Sequence, residues 1–157
     1  MDTTRNIAVV AHDNCKDELL DFIDCNRGML VQHHLIATGT TGRLVKSLLE
    51  KRAAESGDAS HPVNVTRLKS GPLGGDQQLG AHIADGEVDI LFFFWDPMEP
   101  QPHDVDVKAL LRLAVLYNIP TASNRSSAEF LISSPFFDHE FTVKKGKYFE
   151  YADRELK

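Results

Sequence analysis

The chain has 157 residues, 42% of them hydrophobic and 25% charged, with 17 Lys and Arg against 23 Asp and Glu for a net charge of −6. That balance suits one domain, residues 1–157, around one sizeable core, and excludes a disordered or collagen-like chain. Without a basic block the expected partners include neither nucleic acid nor an anionic membrane, and the longest apolar run, Ile90 to Trp95, is far short of the roughly 20 residues of a spanning helix.

Met1 to Arg5 carries no apolar segment of the signal-peptide kind, so a cytoplasmic location is expected. Ile7–Ala11 reads as a buried strand. Asn14 to about Asn26 reads as a helix with Leu19, Phe22 and Ile23 on one face and Gly28 placed to end it. Cys15 and Cys25 fall in that helix, about 15 Å apart along its axis, too far for a disulfide. His34–Ala37 is a second strand, and Gly42 to about Glu55 a helix with Leu44, Val45, Leu48 and Leu49 as its apolar stripe.

The polar stretch Ser56 to Pro62 reads as an exposed loop. Val63–Leu68 is the third strand, Gly75–Asp85 a helix, and Asp89–Phe94 the fourth strand. Asp104–Tyr117 is a helix with Val107, Leu110, Leu111 and Ala114 at helical spacing and Asp104 as its cap. Ile119–Ala122 is a short fifth strand, and Ser126 to about Ile132 a helix opened by a Ser126-x-x-Glu129 capping box. Lys144 to Lys157 is a charged, aromatic tail that could form one more helix. Alternating helices and near-continuously apolar strands imply a single-domain, three-layer α/β/α fold with a mainly parallel sheet of about five strands.

Ligands bind at the carboxyl ends of such strands. Four polar or glycine-rich segments meet there: His12 to Lys16, Thr38 to Gly42, Ser70 to Gln78, and Trp95 to Pro97 with Pro102 to Asp106. Thr38-Gly39-Thr40-Thr41-Gly42 is either a capped strand-to-helix turn or a phosphate seat built from hydroxyls and free backbone N–H groups. Ser70-Gly71 repeats that chemistry one strand over, and Lys16 suits a neighbouring anion, though a solvated lysine would explain it too. Asp76, after Gly74-Gly75, is a first-turn helix residue or a general base. Asp106 is explained by a helix dipole alone, and Asp96 before Pro97 by a turn. His12 and His103 share this edge with these carboxylates, which favours proton transfer over a metal site, since no zinc-ligand spacing is present.

Together these loops resemble methylglyoxal synthases. The likeness rests on Val10-Ala11-His12-Asp13-x-x-Lys16, Ala37 to Gly42, Ser70-Gly71-Pro72-x-Gly74-Gly75-Asp76-Gln77-Gln78, Phe93 to Pro97, and Pro102-His103-Asp104-x-Asp106 through Arg112. It runs from about Ile7 to Ala122, with a weaker echo at Ala152-Asp153-Arg154. The resemblance implies conversion of dihydroxyacetone phosphate to methylglyoxal and inorganic phosphate without a cofactor or metal, with phosphate acting as product and inhibitor. It implies Asp76 as base, with His103 moving protons between the oxygens of the enediolate and Asp106 as a further catalytic position. His12, Lys16, Thr38, Gly39, Thr40, Thr41, Ser70, Gly71 and Asp96 match substrate-holding positions. Asp13 and Arg112 match subunit contacts of a homohexamer. The segment from Glu50 to Lys69 is longer than the usual connection, which is expected to extend the helix end and loop, and Phe136 to Glu150 has little likeness. The same fold resembles the effector-binding domain of carbamoyl-phosphate synthetase, which does no chemistry, so a binding module is the main rival. A phospho-acceptor signalling domain fits poorly, lacking an acidic pair after the first strand.

Overall fold

The computed structural model describes residues 4–58, 60–102, 104–144 and 146. Five strands form one sheet: β1 (Asn6–Ala11), β2 (His34–Thr38), β3 (Val65–Leu68), β4 (Ile90–Phe94) and β5 (Thr121–Ala122). Their order is β3-β2-β1-β4-β5 and every pairing is parallel. The helices are α1 (Lys16–Cys25), α2 (Arg27–Leu30), α3 (Gly39–Ser56), α4 (Gly75–Ala84), α5 (Asp104–Leu116), α6 (Arg125–Ile132) and α7 (Pro135–Asp138).

The strands alternate their side chains between two apolar layers. Ile7, Val9, Ala11, Phe92 and Phe94 face α1, α3 and α6, packing with Leu19, Phe22, Val45 and Ala128. Ala8, Val10, Leu91 and Phe93 face α4 and α5, packing with Leu79, Ile83, Val107 and Leu110. Both faces are covered, so all five residues of β4 are buried and its sequence reads as a continuous apolar run. The expected three-layer fold with a five-stranded parallel sheet is the one observed. Chain order reverses between β1 and β4, which opens a crevice at their carboxyl ends.

Several boundaries differ from the sequence reading. Gly28 does not end α1. That helix stops at Cys25, with the Asn26 side chain and N–H both donating to the Phe22 carbonyl, and Gly28 sits inside α2. Cys15 lies in a separate short turn, Asp13–Cys15, and both cysteines are free thiols. α3 begins at Gly39 rather than Gly42, directly after the extended Thr38. It continues to Ser56 and ends on Gly57, whose left-handed φ of 65° lets its N–H reach the Ala53 carbonyl. α5 has Asp104 as its first helical residue rather than a cap. The cap of α6 is Asn124, which accepts from the Ser127 N–H, while Glu129 pairs with Arg125 instead of closing a box on Ser126.

At the amino ends of the strands Arg5 is buried and donates to the carbonyls of Phe137 (2.7 Å), Phe136 (2.8 Å) and His139. This fixes α7, a helix of four residues too short to show any periodicity. The tail beyond Lys144 lies outside the described residues except for Gly146.

Candidate active site

A cavity of about 230 Å³ opens at the carboxyl ends of β1, β2 and β3. His12, Asp13, Lys16, Thr38, Thr40, Thr41, Ser70, Gly71 and Asp76 all line it, so the structure brings together most of the residues singled out in the sequence. Val10, Ala11, Pro72 and Gln101 line it as well. Gln101 went unnoticed in the sequence because it sits in an irregular loop between β4 and α5, with no period or motif to mark it.

The β2 loop supplies hydroxyls. Thr38 is extended and its side chain makes no capping bond to α3. Thr41 is buried, its hydroxyl donating to the Ala11 carbonyl at 3.4 Å, while Thr40 is exposed at the cavity wall. The first N–H groups of this 18-residue helix have no intrahelical acceptor, so the positive end of the helix meets the cavity. Lys16 is bonded to Asp13, which holds the Asp13 carboxyl below its ordinary range.

The β3 loop is clamped between two glycines. The Gly39 N–H donates to the Lys69 carbonyl at 3.0 Å, and a Cβ at Gly39 would lie 2.5 Å from the Ser70 Cα. On the other side a Cβ at Gly75 would lie 2.0 Å from the Lys69 oxygen. Real Cβ atoms do not approach backbone this closely, so both glycines are required for Ser70 to fit. Gly74 takes a left-handed φ of 98° and starts α4, which sets Asp76 in its first turn, 3% exposed at the cavity wall. The helix dipole there favours a carboxylate, so the structural and the chemical readings of Asp76 coexist.

His12 is 5% exposed, packed edge-on against Phe93, and extends the β1–β4 ladder through its N–H to the Phe94 carbonyl. Its Nδ1 accepts the Asp96 backbone N–H at 3.1 Å. A peptide N–H can only donate, so this bond leaves the proton of the neutral ring on Nε2. The Asp96 side chain is not among the cavity-lining groups. It accepts from Asn14 Nδ2 (2.9 Å) and the Met98 N–H (2.9 Å), and Asn14 also donates to Glu99. Asp96 thus meets the site through its backbone, and these bonds hold the 95–101 loop against the turn after β1. The Asn14 bond chiefly depresses the Asp96 carboxyl.

Gly39 lies behind the cavity wall as part of the clamp rather than on its surface. Asp106 is half-buried in the first turn of α5 and does not line the cavity, and Arg112 is exposed further along that helix. His103 lies outside the described residues. Among the described residues, no group of three or more His, Cys, Asp or Glu is placed to hold a metal ion, and no helix is long and apolar enough to cross a membrane.

The chemistry of this cavity is that of an anion seat beside a buried carboxylate and a histidine of fixed tautomer. Residues 18–123 match the family model of the MGS-like domain. The chain is 65% identical to a methylglyoxal synthase of Maridesulfovibrio salexigens, over 99% of this chain and 100% of that one. It is 53% identical to one from Oleidesulfovibrio alaskensis, over 96% and 95% of the two chains. The crystal structure of methylglyoxal synthase from Elizabethkingia anophelis superposes with a TM-score of 0.80 at 46% identity, covering 98% of this chain and 93% of that one. Site geometry, fold and full-length likeness agree, and the chain belongs to the methylglyoxal synthase family.

Proposed function

We propose that this chain, acting as one domain over residues 1–157, is a methylglyoxal synthase: it turns dihydroxyacetone phosphate into methylglyoxal and inorganic phosphate. The observation that carries the reading is Asp76, a nearly fully buried carboxylate, on the wall of a small cavity that it shares with His12, Lys16 and the hydroxyls of Thr38, Thr40, Thr41 and Ser70. Thr38, Thr40, Thr41, Ser70, Gly71 and Lys16 hold the phosphate, which fixes the hydroxymethyl carbon against the base. Asp76 removes a proton from that carbon. The negative charge moves to the carbonyl oxygen, in a cavity whose wall includes His12. By the family resemblance His103 moves protons between the enediolate oxygens and Asp106 is a further catalytic residue, while the Asp96 N–H holds His12. Collapse of the enediolate then breaks the carbon–oxygen bond and phosphate leaves, and protonation of the terminal methylene of the resulting enol gives methylglyoxal, which makes the reaction a lyase reaction on a phosphate ester.

No cofactor or metal enters this scheme. A homohexamer with contacts at Asp13 and Arg112 and a cytoplasmic location belong to the same proposal. The test is to add dihydroxyacetone phosphate to the pure protein and follow methylglyoxal and phosphate together. Equal release of both is expected. Binding of phosphate compounds with no turnover would overturn the reading in favour of an effector-binding module.

A further inference from the structure

Among the described residues that line the cavity, Lys16 is the one cationic side chain. It stands against two carboxylates, Asp13 and Asp76, in a protein of net charge −6. Lys16 is already bonded to Asp13. Among the described residues, a phosphate dianion entering the cavity is met by Lys16, the hydroxyls and the start of α3 alone.

Further positive charge lies next door. A broad groove of about 710 Å³ adjoins the cavity and shares Thr40 and Ser70 with it. Its charged lining residues are Arg67 and Lys69, and among the described residues no carboxylate pairs with either. They stand two apart on edge strand β3 and its continuation, hence on one face of the sheet. That face carries α3: the Arg67 stem packs beside Gly42, where a Cβ would come within 3.0 Å of it. The start of α3 lies on the groove as well, through Gly39 and Thr40, and adds its positive end. The Lys69 backbone is fixed from both sides, its N–H on Gln78 Oε1 (2.8 Å) and its carbonyl on the Gly39 N–H.

We propose that this groove is the entry vestibule for the phosphate dianion, in which Arg67 and Lys69 capture the anion and pass it across Thr40 and Ser70 into the cavity. The assignment rests on the proposed function for the identity of the anion's carrier. Both cations act before the chemical step, so they govern KM and association and leave kcat alone.

The experiment compares the wild type with Arg67→Gln/Lys69→Gln and with the charge-preserving Arg67→Lys/Lys69→Arg, from low to high ionic strength. At about 10 mM, where the Debye length is about 30 Å, the neutral double variant should show a KM raised about tenfold with kcat unchanged. The difference should vanish towards about 1 M salt, where fields extend about 3 Å. The charge-preserving variant should behave as wild type. Equal salt dependence in the wild type and the neutral variant would overturn the vestibule. So would a charge-preserving variant as impaired as the neutral one, since loss of packing on Gly42 would then be the cause. A parallel titration with inorganic phosphate separates the two proposals. If the wild type does not turn over, the synthase reading fails, and phosphate affinity still decides the vestibule: a severalfold, salt-sensitive loss in the neutral variant supports it and an unchanged affinity refutes it.

Discussion

Replacing Gly75 with alanine adds one methyl group at the most crowded point of the site. The new Cβ would lie 2.0 Å from the Lys69 carbonyl oxygen and 2.9 Å from the Lys69 and Ser70 carbonyl carbons. Relief needs a movement of about 1 Å, since side-chain carbons essentially never approach backbone more closely than about 3 Å. The peptide cannot simply retreat, because Gly39 lies against Ser70 on the opposite side with its own virtual Cβ at 2.5 Å. Displacing the Lys69 carbonyl also strains its bond from the Gly39 N–H. The movement therefore passes to Ser70 and to Asp76, one residue beyond the substitution. Misplacement of reacting groups by about 1 Å costs about 10²-fold in rate, and overpacking of this kind costs about 1–3 kcal/mol in stability. A chain of this length should then melt some 2–4 °C lower per kcal/mol. The assay is methylglyoxal formation at saturating and limiting dihydroxyacetone phosphate, beside a melting curve. Near-normal kcat and an unchanged Tm in Gly75→Ala would refute the argument that the two glycines hold the base in place.

Gly28→Ala is the matched contrast: nothing lies within 4 Å of its virtual Cβ and it is helical, so stability should hold or rise by about 0.5–1 kcal/mol, checked by urea unfolding. Asp76→Asn should abolish methylglyoxal formation with the fold retained by circular dichroism, because the amide keeps the size of the carboxylate but accepts no proton. Inorganic phosphate should raise the Tm at fixed ionic strength relative to chloride, by about 2.7 kcal/mol of stabilisation at 100 times its dissociation constant, and Lys16→Ala should lessen that rise more than Thr40→Val. Burial pushes the His33 imidazole below its ordinary value of 6.5, against the opposing pull of Asp138 at 3.9 Å and of Asp89, and with the support of Arg5. The unfolded chain then binds the proton more readily than the folded one, so stability should be full above that value and decline as pH falls below it. In His33→Asn, which keeps an acceptor for the Arg5 N–H, the urea midpoint should lose part of that decline.

The sheet was legible in the sequence because burial on both faces forces continuous apolar runs, as in Ile90 to Phe94. Its edges were less so: β5 has only two residues in the ladder, although the Pro120 carbonyl still accepts from the Leu91 N–H at 3.0 Å. The start of α3 was set three residues late because a glycine followed by two threonines has the chemistry of a turn, and only the contact with Ser70 explains why a helix begins there. Asn124 and Ser126 are both competent caps, and local sequence does not reveal that Arg125 draws Glu129 away from the box. Most of the cavity lining could be read from strand ends alone. The placement of the Asp96 carboxylate on Asn14, with its N–H on His12, could not, since it depends on how a loop folds back across 82 residues of sequence.

Arg5 has a consequence for the order in which the molecule can be completed. Its guanidinium is held by carbonyls 131, 132 and 134 residues further along the chain. During synthesis Arg5 emerges first, so these three carbonyls join the chain long after it does. Until then it stays hydrated, and β1, which starts at the next residue, keeps its lower end in water. Closure of the clamp therefore waits for residues 136–139 and ties the start of β1 to α7 through one side chain. A polypeptide truncated before Phe136 would keep every strand and all the described residues that line the cavity, yet would leave the Arg5 guanidinium in water without its three carbonyl acceptors.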